Sequence, residues 1–163
     1  MVVARRWFEG VFRGNLGRLR VPVKTTELLL PEAVRRKATV TAGGEHAWRQ
    51  HDVEEVLQDA RAACLACLGG QVQFQTPEGT AEAYWLNFDP QPQLEREMWS
   101  DYVSRSSDEA LKGFRRLCRD TDFRSVAREW EFIATKIDRQ AYDPVADLWF
   151  ALYFATESTA RSL

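Results

Sequence analysis

The chain of 163 residues is 45% hydrophobic and 28% charged, a balance that suits one globular domain with its own core and excludes a low-complexity chain. No apolar run approaches the roughly 18 residues that span a membrane, and arginines scattered through "MVVARRWFEGVFRGNLGRLR" leave no secretory signal, so a cytoplasmic location is expected. The net charge of −2 divides into +6 over residues 1–37 and −8 over the remainder, so most of the body repels a phosphate backbone.

The basic start could bind nucleic acid or anionic lipid, but lying against the acidic body is the favoured reading. Within residues 1–44, "RLRVPVK" alternates Leu19, Val21 and Val23 with basic residues, as a half-buried strand does. Pro22 would place that strand at an edge. A short helical turn is predicted after Pro31, and a short strand around Val40.

The clearest helix is predicted over residues 52–68. Val53, Val56, Leu57, Ala60, Cys64, Cys67 and Leu68 form one apolar stripe. Asp52 with Glu55 suits a capping box, and Gly69-Gly70 would end the helix in the left-handed conformation. A hairpin follows in "GGQVQFQTPEGTAEAYWLNF". Val72 and Phe74 face one way and Gln71, Gln73 and Gln75 the other, with "TPEG" as the turn. The second strand has no fully polar face, which predicts a place inside the sheet.

Helices are predicted over 93–104 and 107–118, broken near "SRSSDE" and restarted by a capping box of Ser106 and Glu109. Another is predicted near 122–136. The strand "DLWFALYFATE" is apolar on both faces, as a central strand is. The expected fold is α+β: a mostly antiparallel sheet, built of hairpin 71–88 and the C-terminal strand, packed by several helices in one domain over residues 1–163.

Each candidate for chemistry has a plainer reading. Cys64 and Cys67 have C-x-x-C spacing, but at the C-terminal end of a predicted helix, where the dipole raises a thiol pKa rather than lowering it. Buried core cysteines are favoured, and three cysteines in all give no disulfide framework. His46 and His51 do not complete a recognised zinc spacing with them, so no metal is expected. Phosphate-cradling and nucleophile motifs are missing, and no cofactor is expected. The acidic groups Glu45, Asp52, Glu54, Glu55, Asp59 and Asp89, Glu95, Glu97, Asp101, Asp108, Glu109 read mostly as solvated helix faces. Their alternative reading is a patch that draws in a basic partner. Trp99 and Trp130 fit the core, whereas one of Tyr84 and Trp85, on opposite faces of a strand, is expected to be exposed.

The strings "LGGQVQF", "YWLNFDP", "WSDYVSRSSDEALKGF" and "LWFALYFATES" resemble a family of small bacterial immunity proteins that accompany polymorphic, contact-delivered toxins. The likeness covers roughly residues 46–156 and is carried by Trp48, Gly69-Gly70, Tyr84-Trp85 and Trp99-x-x-Tyr102. It implies binding rather than catalysis: a cytoplasmic protein that neutralises a cognate toxin. The acidic body, on charge alone, suits a basic, nuclease-type toxin domain. The residues expected to meet that partner are Glu54, Glu55, Tyr84, Trp85, Asp89 and Asp101. The alternatives are a small-molecule-binding or hydrolytic domain, and a nucleic-acid-associated protein using its basic N-terminal segment.

Overall fold

The computed structural model describes residues 30–41, 44–140 and 142–160. The predicted strand at 18–24 lies outside them. Five strands, β1 (Thr39–Val40), β2 (His46–Trp48), β3 (Ala66–Thr76), β4 (Gly79–Asn87) and β5 (Leu148–Ala155), form one sheet in the order β1-β2-β5-β3-β4. Every pairing is antiparallel. The helices are α1 (Glu32–Arg35), α2 (Val53–Ala62), α3 (Trp99–Asp120), α4 (Phe123–Ala127), α5 (Glu131–Gln140) and α6 (Glu157–Ala160). The α+β class is as the sequence predicts.

β5 is central, and its two apolar faces explain why. It pairs with β3 from Ala66↔Ala155 to Phe74↔Leu148, and with β2 through Ala47↔Ala151 and Trp48↔Phe150. Leu148, Phe150, Leu152 and Phe154 join Val72 and Phe74 in the main core, which also holds Leu57 of α2, Phe114 of α3 and Ile133 of α5. Trp48 is fully buried there, and its indole N–H donates to the Val34 carbonyl at 3.0 Å, fastening α1 to the sheet. Arg49 stacks over Trp149, 3.8 Å from the ring centroid, while its guanidinium donates to the Ala146 carbonyl, so β2 is pinned to the start of β5.

The predicted helix over 52–68 is too long. α2 stops at Ala62 because Cys64 takes the left-handed conformation, with φ of 56°. The Leu65 N–H then donates to the Ala60 carbonyl at 2.9 Å and the Cys64 N–H to the Arg61 carbonyl at 3.0 Å. These are the paired bonds of a Schellman motif, with Cys64 where glycine usually stands. The capping box does not form either: Asp52 caps without a side-chain bond to the backbone, and its carboxylate is buried against Lys37 at 3.0 Å. Replacing Cys64 with glycine should remove the Cβ strain of this position and stabilise the domain by about 0.5–1 kcal/mol. Chemical denaturation checks this, and an unchanged or lower midpoint would contradict it.

Gly69-Gly70 is therefore not a helix cap. It lies within β3, at a register shift between Cys67 and Gly69. The two cysteines do not share a helix stripe: Cys64 is exposed, and Cys67 is buried on β3, where desolvation pushes its thiol up to about 12.

The predicted break near residue 105 is absent, and α3 runs unbroken for 22 residues. Its serines are satisfied by neighbouring elements instead of starting a new helix. Ser106 Oγ accepts from the Cys67 N–H at 3.2 Å, and Ser107 Oγ donates to the Leu57 carbonyl at 3.2 Å. Residues 122–136 hold two helices rather than one, α4 being capped by Asp122, which accepts from the N–H groups of Arg124 and Ser125. β4 is an edge strand, not an interior one. It puts Ala81 and Ala83 in the core, with Leu86 partly buried against it, while Tyr84 and Trp85 are exposed.

Candidate partner-binding surface

Among the described residues, four of the seven large apolar side chains that stand exposed fall between residues 84 and 98: Tyr84 (66% exposed), Trp85 (44%), Leu94 (60%) and Met98 (68%). Two different devices hold them in place. On β4, Trp85 stacks on Trp130 with ring centroids 5.6 Å apart and an angle of 14°, and Tyr84 meets Trp85 edge-on at 5.2 Å. Trp130 leans in turn on the buried Phe74 at 5.8 Å. The exposed pair is thus the outer end of an aromatic row anchored in the core, a rigid amphipathic presentation favoured at protein interfaces.

The second device is Arg105. Its Nε and Nη2 donate to the two oxygens of Glu97 at 2.8 Å each, Nη2 also donates to the Pro92 carbonyl at 3.0 Å, and Nη1 donates to the Gln91 carbonyl at 3.3 Å and to Glu109. Glu109 also accepts from the Gln91 N–H at 2.8 Å. The Arg105 guanidinium and the Leu94 N–H hold the Glu97 carboxyl down at about 2. Such a planar fork, with its five N–H donors, satisfies more acceptors at once than the three donors of a lysine can. The segment after β4 is thereby ordered without secondary structure, and Arg96 within it sits at φ of 66°. The sequence reading missed Arg105 because it placed a helix break there. The spacing of Arg105 and Glu109, four apart on a helix, was the available signal.

The expected partner residues are not equivalent. Tyr84 and Trp85 form the exposed pair. Asp101 is exposed in the first turn of α3. Asp89 follows β4 and packs over Gly69, where a Cβ would collide with its carboxylate. Glu54 and Glu55 on α2 are engaged within the chain. Glu54 accepts from Arg115 at 2.7 Å, and Glu55 accepts from Arg36 and from Lys37 at 2.7 Å. The described end of the basic segment thus lies on the acidic body, as expected. Glu54 and Glu55 are accordingly weaker candidates than the sequence suggested.

The glutamine face of β3 is also accounted for. Gln73 is fully buried and donates to Glu45 at 2.9 Å, and the Tyr153 hydroxyl donates to the other oxygen of Glu45 at 2.9 Å. Gln75 donates to Gln73 at 3.4 Å. Burial, and next the Glu45 charge, raise the carboxyl pKa of Glu82, the cross-strand partner of Gln73. Burial likewise lifts the Tyr153 phenol well above its usual range. Gln73, Glu45 and Tyr153 form a network that ties β3 to β5 and to the residue before β2.

Among the described residues no group of three or more His, Cys, Asp or Glu side chains could hold a metal ion, and no helix is long and apolar enough to cross a membrane. No protein-family model matches the chain, and neither a curated protein nor a solved structure is similar to it.

Proposed function

We propose that this chain is a binding protein, an immunity protein that neutralises a cognate bacterial toxin in the cytoplasm by tight association. The observation that supports it is the core-anchored aromatic pair Tyr84–Trp85 on an edge strand, followed in the chain by the Arg105-clamped segment that exposes Leu94 and Met98. Fixed aromatic side chains lose little conformational freedom on binding, which is what makes them strong anchors. Asp101 and the other carboxylates nearby would steer a basic partner and raise the on-rate more than the affinity.

The test is capture of the product of the neighbouring gene by the full chain, followed by rescue of cells from that product's toxicity. Binding with protection supports the reading, whereas failure of both overturns it. Tyr84→Ala is expected to weaken the complex by about 2 kcal/mol, roughly thirtyfold in Kd, with little change in stability. Val145→Ala, at another exposed apolar residue, serves as the control. Equal affinity of both variants would remove β4 from the interface.

A further inference from the structure

We infer that the cleft between α3 and the end of β4 binds the phosphate groups of a small organic molecule. The cleft is open to solvent and holds about 650 Å³, and its walls include Asn87 and Asp89 on one side and Lys112, Arg116 and Arg119 on the other. That volume lies within the range of small-ligand sites.

The lining of the cleft carries four cations, Lys112, Arg115, Arg116 and Arg119, against three carboxylates, Asp89, Asp108 and Glu109, a surplus of one positive charge. Of the lining carboxylates, Asp108 is held by Arg61 at 2.9 Å, and Glu109 is held by Arg105 at 3.1 Å. Of the lining cations, Arg115 pairs with Glu54 and Arg119 with Asp120, each at 2.7 Å. Asp89 packs over Gly69. Lys112 and Arg116 remain: among the described residues neither makes an ion pair within 4.0 Å or a side-chain hydrogen bond. Arg116 feels Asp120 only through space. The two are four residues apart, so they project side by side from one face of α3, about 5–6 Å apart at Cβ. Two adjacent unneutralised cations, one of them a guanidinium that can grip two oxygens, match a dianionic phosphate or a diphosphate better than a lone carboxylate. The third cation, Arg119, lies one turn further along α3.

This inference does not rest on the toxin-binding reading: Lys112 and Arg116 are not among the residues expected to meet the partner, although Asp89 belongs to both sets, and the ligand is of another kind. Isothermal titration of the full chain with ADP, inorganic pyrophosphate and adenosine tests it. ADP is expected to bind saturably. Pyrophosphate binding as well would identify the phosphates as the whole of the recognised group, and its failure beside ADP would show that the organic part contributes. Lys112→Ala/Arg116→Ala should weaken ADP binding at least about tenfold, Arg116→Lys, which keeps the charge but loses the two-oxygen grip, should weaken it by less, and Arg128→Ala, in the turn after α4, should not change it. Since Lys112 and Arg116 are exposed and unpaired, the double variant should melt with the wild type. Absence of saturable ADP binding up to about 10 mM, equal binding by the double variant, or adenosine binding as tightly as ADP would each overturn the inference.

Discussion

Gly70→Ala is expected to destabilise the domain by about 3 kcal/mol or more, at the upper end of the usual cost of overpacking. Gly70 lies in the middle of β3, opposite Leu152 of β5. A Cβ there would overlap the far edge of the Phe88 ring and stand 2.7 Å from the Ala151 carbonyl. Phe88 cannot easily withdraw, because its ring sits 5.7 Å from that of Phe114 and 6.4 Å from that of Phe150. The Ala151 carbonyl belongs to the central strand and cannot move without the sheet. For a domain of this size the corresponding fall in melting temperature is roughly 10 °C. In a Phe88→Ala background the added cost of Gly70→Ala should be smaller, because half of the collision is removed. Costs that simply add in the double variant would show that Phe88 is not what excludes the methyl group.

Phe150→Ala is expected to cost about 3–5 kcal/mol, the range for emptying a buried phenylalanine site. Phe150 is fully buried on the central strand and meets Phe114, Phe123 and Phe88 at centroid distances of 5.0, 6.0 and 6.4 Å. Those rings come from α3, from α4 and from the residue after β4, so one side chain ties two helices to the sheet. Set against a total stability on the order of 5–15 kcal/mol, this loss leaves a marginal domain. Phe132→Ala, at a ring that is 39% exposed on α5, should by contrast stay within about 0.5 kcal/mol. Urea unfolding of the two variants separates the cases. A loss below about 1.5 kcal/mol at Phe150 would mean that the neighbouring rings collapse into the vacated space.

What was legible in the sequence followed from local rules. The two apolar faces of residues 148–155 announced a central strand, and "TPEG" announced the hairpin turn between β3 and β4. The short helical turn after Pro31 and the strand around Val40 left fainter traces in the sequence, and both form. The end of α2 was hidden because Cys64, a residue with no special liking for positive φ, holds the position glycine normally takes. With the helix carried too far, Gly69-Gly70 seemed to be its cap, although both glycines serve the close approach of Phe88 and Asp89 to β3. The continuity of α3 was hidden because Ser106 and Ser107 find partners on β3 and α2, distant in the chain. In the candidate surface, Tyr84 and Trp85 could be singled out by type, but their stacking on Trp130 is a tertiary fact. The Arg105 clamp required knowing that residues 91–97 fold back along α3.

The strand order also governs when the protein can assemble during synthesis. β5 joins β2 to β3, yet it emerges from the ribosome only after the other four described strands and five of the described helices. Until residues 148–155 are available, the sheet exists only as two unconnected ribbons, β1–β2 and β3–β4, and the inner margins of β2 and β3 are open edges able to pair with other chains. The closing contacts span long stretches of sequence, which makes folding slow relative to a helical bundle. A chain interrupted before Leu148 would carry the aromatic surface of β4 without a completed core beneath it. It would be expected to aggregate, so the last strand is the piece on which completion of the fold waits.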